Sequence, residues 1–147
     1  MKNKNLFLII FFNIFLFFYS NLVLSDEFEF NASEISTYNK GNLIKGFGGV
    51  EINDGLGLVI SGEEFEFDKI QSILKVSKNI IIKDNLNKYL LKSNRIIFDK
   101  KLNTLFSKDE TLIEIIGGFN FQGSNITLNR NLNTIFSNKT SIFTDLD

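Results

Sequence analysis

The chain has 147 residues, about one domain's worth, and carries 16 basic residues against 17 acidic ones. It contains no Cys, His, Pro or Trp. Those absences exclude disulfides, Cys nucleophiles, Ser-His-Asp arrangements and zinc sites built on Cys or His. Carboxylate sites for hard cations stay chemically open, and the balanced charge offers no basic footprint for nucleic acid.

Lys2 and Lys4 precede a 14-residue stretch from Leu6 to Tyr19, LFLIIFFNIFLFFY, broken only by Asn13. Val23-Leu24-Ser25 then sets short side chains before Asp26. This is the layout of a signal peptide over residues 1–25, cleaved after Ser25. The rival reading is an uncleaved anchor over Leu6–Leu24. Its apolar run is short against the roughly 20 residues a membrane span requires.

Four segments beyond it repeat one another: FNASEISTYNKGNLIKG from Phe30, ISGEEFEFDKIQSILKVS from Ile60, LKSNRIIFDKKLNTLFS from Leu91, and FQGSNITLNRNLNTIFS from Phe121. Their starts lie 30, 31 and 30 residues apart. Each opens on an apolar residue and has a small one two places on (Ala32, Gly62, Ser93, Gly123). Apolar positions follow, and an Asp or Asn closes the run. Glu64-Phe65-Glu66-Phe67, Val50-Glu51-Ile52-Asn53 and Ile80-Ile81-Ile82-Lys83 alternate with period two, which predicts strands. Asn53-Asp54-Gly55 predicts a turn. The apolar positions change parity at the small residue, so a bulge or bend is expected there. Gly46, Gly48, Gly49, Gly117 and Gly118 read as further bends. The fold class predicted is all-β, built from about four 30-residue antiparallel units that stack because one unit cannot bury its own apolar face.

A signal peptide followed by repeats of apolar-x-(Ala/Gly/Ser)-x-x-apolar-x-(Phe/Tyr)-(Asp/Asn) resembles the organic-solvent-tolerance (OstA-like) family. The match is carried by Ile60 to Asp68, Gly48-Gly49-Val50-Glu51-Ile52 and Leu91 to Asp99, and it covers essentially residues 28–143. Family members are the open, twisted β-jellyrolls of lipopolysaccharide transport and assembly. The resemblance implies a periplasmic module in residues 26–147 whose interior shields lipid A acyl chains. It also implies partners of the same fold that pair through edge strands, and association with the outer membrane if the chain is the front of a longer assembly protein. The end of the chain, just after the apolar Ser141–Thr144 stretch, suits such a truncated protein first and also an open jellyroll edge. This sequence departs from the family where Gly-Gly-Val at 48–50 and Lys-Asn-Ile at 78–80 replace the usual Gly-Asn-Val.

The inward set predicted by the alternation is Ile35, Val50, Ile52, Phe65, Phe67, Ile80, Ile82, Ile96, Phe98, Ile126 and Leu128. As a pattern it describes a packed core; the resemblance makes the same residues groove-lining positions for lipid. Glu63, Glu64 and Glu66 could serve as an acid–base pair, but Glu64 and Glu66 alternate with the apolar face and so read as a solvated outer surface. Lys75, Lys78, Lys83, Lys88 and Lys92 read as edge-protecting lysines or as contacts for lipid phosphate. No cofactor and no catalytic activity are expected. The alternative function is a structural β-repeat, as in an adhesin or surface layer, that binds no lipid.

Overall fold

The structure, a computed structural model, describes residues 28–145; the signal-peptide reading falls outside them. One antiparallel sheet of 11 strands makes up nearly the whole domain. Five strands are long: β1 (Glu29–Tyr38), β2 (Leu43–Asn53), β3 (Leu58–Asp68), β4 (Ile73–Asp84) and β5 (Tyr89–Asp99). Six are short: β6 (Thr104–Ser107), β7 (Thr111–Ile115), β8 (Phe119–Gly123), β9 (Ile126–Asn129), β10 (Thr134–Ser137) and β11 (Ile142–Asp145). The first two repeats therefore give full-length strands. In the last two, β5 is still full length, and beyond it the bend becomes a crossover and each strand splits in two.

The predicted parity slip is a line of bulges across the sheet. Register shifts fall between Ala32 and Glu34 in β1, Phe47 and Val50 in β2, Ser61 and Glu64 in β3, and Ser77 and Ile80 in β4. Two of the small residues in the repeat, Ala32 and Gly62, sit at these shifts, as do Gly48 and Gly49 of β2 with their left-handed backbone. At the same seam in β5, the hydroxyl of Ser93 bonds those of Ser107 (2.8 Å) and Thr111 (2.9 Å), where β6 leaves one part of the sheet and β7 enters the other.

The seam divides the sheet into two leaves. Leaf I contains the residues of β1, β3 and β5 before the bend, those of β2 and β4 after it, and β7, β8 and β11. Leaf II contains the complementary halves with β6, β9 and β10. An apolar row crosses leaf I through Phe30, Ile52, Ile60, Ile82, Leu91, Ile113, Phe121 and Phe143. A matching row crosses leaf II through Ile44, Phe67, Leu74, Phe98, Leu105, Leu128 and Ile135. The leaves face each other across one core that draws buried residues from both rows. β1 pairs only with β2, β10 only with β9 and β11 only with β8. The sheet is therefore open, an all-β, jellyroll-like fold with free strands at both ends.

The reading of the lysines as edge protection is corrected. β4 and β5 are central strands, with partners on both sides. Lys75 and Lys78 on β4 pair across the outer face with Glu66 (3.3 Å) and Glu64 (2.5 Å) of β3, and Lys92 on β5 pairs with Glu114 of β7 (2.7 Å).

Candidate functional site: the interior between the leaves

Of the predicted inward set, Val50, Ile52, Phe65, Phe67, Ile80, Ile82, Ile96, Phe98, Ile126 and Leu128 are all buried between the leaves. Ile35 differs, being 46% exposed. It lies in the same row as Phe65, Val76 and Ile96, but on edge strand β1, and its cross-strand neighbour is Gly46. Gly46 has no side chain to cover it. The Phe65 ring lies over the space a Cβ on Gly46 would take and stacks on Phe30, centroids 4.5 Å apart and planes 9° from parallel.

The mouth between the leaves changes character along its length. Near β1, Phe28 fills it, with its ring 5.2 Å from Phe67 and 5.8 Å from Phe98 in edge-on contacts. Lys100 caps the ring, its ammonium 4.7 Å from the centroid. Edge-on and stacked pairs of this kind add about 0.5–1.5 kcal/mol each beyond area burial.

The middle of the mouth is closed by charge. Arg130, from the β9–β10 turn of leaf II, reaches Asp54 and Asp84, at the leaf I turns. Its Nε donates to Asp84 Oδ2 (2.7 Å), and Nη1 donates to Asp54 Oδ2 (3.1 Å) and Asn103 Oδ1 (2.7 Å). All three charged side chains are 3% exposed or less. The aspartates do double duty. Asp54 Oδ1 accepts from Leu56 N–H and Leu58 N–H, and Asp84 Oδ1 accepts from Leu86 N–H and Asn87 N–H. Each carboxylate thereby shapes its own turn and holds the guanidinium. Burial works against ionisation of Asp84, but hydrogen bonds from Arg130 and Asn87 outweigh it and keep its carboxyl below the usual range. Burial likewise opposes the Arg130 charge, and Asp84 more than offsets it, so its pKa is raised. Beside them, the buried Tyr89 hydroxyl makes no hydrogen bond. Burial, then the nearby Asp84 carboxylate, push its pKa up, so it stays protonated.

Towards β10 the mouth opens. Tyr89 and Ile115 of leaf I and Leu128 and Ile135 of leaf II wall a cleft of about 120 Å³, with Asn87 and Asn133 at its lip. Beyond it, Phe143 ends the leaf I row and is 61% exposed. Its ring meets only the edge of the interior, stacked on Phe119 at 5.4 Å.

The outer face carries the acidic cluster as a cross-strand charge ladder. Glu66 sits between Lys45 (2.8 Å) and Lys75 (3.3 Å), and hydrogen bonding from Lys45 lowers its pKa. Each carboxylate there faces a lysine or an amide, not a second carboxylate across a cleft. Among the described residues, no three His, Cys, Asp or Glu side chains are grouped so as to hold a metal ion. Nor is any helix among them long and apolar enough to cross a membrane.

Sequence reasoning missed the Arg130 clasp and Phe28. The clasp left a signal. Each repeat follows its closing Asn or Asp with a base, and the series runs Lys40, Lys69, Lys100, Arg130. Asp54 and Asp84 are also one repeat length apart in sequence. At that position only the fourth repeat offers a guanidinium, which can hold two carboxylates at once in a buried place where an ammonium would not.

A scan against protein-family models finds no match for this chain, and a search of the curated proteins finds none either.

Proposed function

We propose that the chain is a periplasmic lipopolysaccharide transport or assembly module. Its leaves shield lipid A acyl chains, and its free edge strands pair with other jellyrolls of the same route. One observation carries the reading. The apolar rows of both leaves run to the free edge at β10 and β11, where Ile135 and Phe121 are only half-buried and Phe143 is exposed. An acyl chain sheltered at such a place is spared about 0.8 kcal/mol of hydration for every CH₂ buried. The unpaired backbone groups of β1, β10 and β11 are the kind that accept an added strand.

A second reading, a structural β-repeat without lipid, is favoured by the dense packing from β1 to β5, where Phe28 and Arg130 fill the mouth. Photo-crosslinking in lipopolysaccharide-producing cells separates the two. A photoreactive residue at Ile135 faces the interior, and one at Phe136 faces out on the same strand. Lipid adducts at 135 and none at 136 are the expected result. Equal labelling at both, or none at either, rejects the transport reading.

A further inference from the structure

The two leaves are joined by a bend on one side and by side chains on the other. At the seam, residues drop out of the ladder in β1 to β4. Among them are Gly48 and Gly49 of β2 and Lys78 and Asn79 of β4, all four with left-handed backbone. A line where the ladder is interrupted is where a sheet can bend. At the mouth, each rim is laced along its own length. On leaf I, Asn85 N–H donates to Gly57 O and Ile116 N–H to Lys88 O; on leaf II, Lys100 N–H donates to Ser72 O and Arg130 N–H to Asn103 O. Each rim can therefore move as one piece. Phe28 joins the mouth at its β1 end, and the Arg130 clasp joins it in the middle.

The clasp is built to come apart without disturbing either rim. Parting the leaves there breaks two hydrogen bonds, from Arg130 Nε to Asp84 Oδ2 and from Nη1 to Asp54 Oδ2. Every group involved keeps partners in its own leaf. Arg130 Nη1 stays bonded to Asn103 Oδ1, Asn103 Nδ2 itself donates to Asn131 Oδ1 (2.6 Å), and the guanidinium lies over the Phe98 ring, 5.7 Å from its centroid. Asp84 Oδ2 keeps the Asn87 side-chain amide (2.9 Å), and both aspartates keep the backbone N–H groups of their own turns. The turns thus survive release, and the hydration that burial denied to the three charges offsets the attraction lost. At the aromatic end, parting the leaves would expose apolar rings with no such compensation.

Space demands such a release. The cleft beside the clasp, with Tyr89 in its wall, measures about 120 Å³. A cavity of about 150 Å³ holds one benzene molecule. A lipid acyl chain, with roughly a dozen carbons or more, therefore exceeds the cleft while the clasp is closed. We propose, on the reading that the interior takes acyl chains, that the Arg130 clasp is a latch: Arg130 releases Asp54 and Asp84, the leaves part about the seam, and the cleft runs on into the space between them. One layer of carbon inserted between surfaces in contact adds a further contact distance, about 4 Å.

The chain has no cysteine of its own, so nitroxide labels can be placed in pairs on the full chain and their separation read by electron paramagnetic resonance. Leu86→Cys with Leu132→Cys spans the mouth at the clasp, and Leu56→Cys with Ile116→Cys lies along the leaf I rim; all four side chains are exposed. Lipopolysaccharide should lengthen the 86–132 separation by about 4 Å or more and leave 56–116 unchanged. Arg130→Met should lengthen 86–132 without any lipid, because the two carboxylates left behind are hydrated only when the leaves part. Arg130→Lys keeps a charge but lacks the fork that holds two carboxylates. It should give a mixture of the short and long separations, and it decides the matter if Arg130→Met does not fold. Lipopolysaccharide that binds without changing 86–132 overturns the latch and leaves the transport reading standing. Lipopolysaccharide that fails to bind the parent rejects the transport reading, and the variants then decide the latch: the parent's separation alone in Arg130→Lys overturns it. A change at 56–116 as large as at 86–132 also overturns it, since the leaf would be unfolding and not swinging.

Discussion

The two ends of the interior begin from the same repeat and finish differently. Near β1, aromatic residues from both leaves close over one another: Phe28 and Phe30 from one side, Phe65, Phe67 and Phe98 from the other. Near β10 and β11 the corresponding rows finish on Ile135, half-buried in the wall of the cleft, and on the exposed Phe143. The repeats supply the same inward positions throughout. What differs is whether a further side chain fills the gap. Phe28 lies just ahead of the first unit and fills it at one end. Arg130 is the last recognisable plug, and past it the leaves stand apart around a cleft large enough for a small apolar group; a cavity of about 150 Å³ is known to hold benzene.

Substitutions can break this contrast at several points. The largest effect is expected from Arg130→Met, which leaves Asp54 and Asp84 buried without their cation. It should lower unfolding free energy by about 3–5 kcal/mol in denaturant titration. Neutralising all three as Asp54→Asn, Asp84→Asn and Arg130→Met should recover most of that loss. If the triple variant is no more stable than Arg130→Met, charge compensation is not the clasp's role. Phe67→Ala, at the closed end, should cost about 3–5 kcal/mol by the same titration, through the cavity it leaves. Gly46→Ala pushes a methyl into the Phe65 ring and should cost about 1–3 kcal/mol as the ring is displaced from Phe30. At the open end, Phe143→Ala should stay within about 0.5 kcal/mol of the parent, since the side chain is mostly in water already. A cost at Phe143 as large as at Phe67 would erase the difference between the ends.

The clasp also sets a pH dependence. Asp84 is held ionised below the usual carboxylate range in the folded chain, so the unfolded chain binds the proton first as pH falls. The stabilisation is complete above the ordinary aspartate value of about 4 and declines as pH drops through and below it. Asp84→Asn should flatten the stability-versus-pH curve in that region, measured by thermal unfolding across an acid series.

Much of this architecture was legible in the residues. Period-two alternation in Glu64–Phe67 and Ile80–Lys83 gave strands, and the parity slip at Ala32 and Gly62 gave the seam on which the leaves fold. The burial of Ile52, Ile82, Phe98 and Ile126 followed from the same alternation. Position within the sheet was not legible. Ile35 has the right parity, but it lies on an edge strand opposite a glycine, and no local pattern marks an edge. The lysines of β4 and β5 were misread for the same reason: alternation tells which face a side chain takes, not which strands flank it. Arg130 and its aspartates are far apart in sequence and come together only once the leaves face each other.

The most direct measurement is amide hydrogen exchange followed strand by strand, with and without added lipopolysaccharide. With the protein alone, β3, β4 and β5 should exchange slowly, while β10 and β11 exchange fast, as expected of short strands at an open edge. Lipopolysaccharide should slow exchange in β8 to β11 and leave β3 to β5 unchanged. Uniform protection along the sheet before ligand, or no added protection at β8 to β11 with it, would contradict an interior that is closed near β1 and open to lipid at the other end.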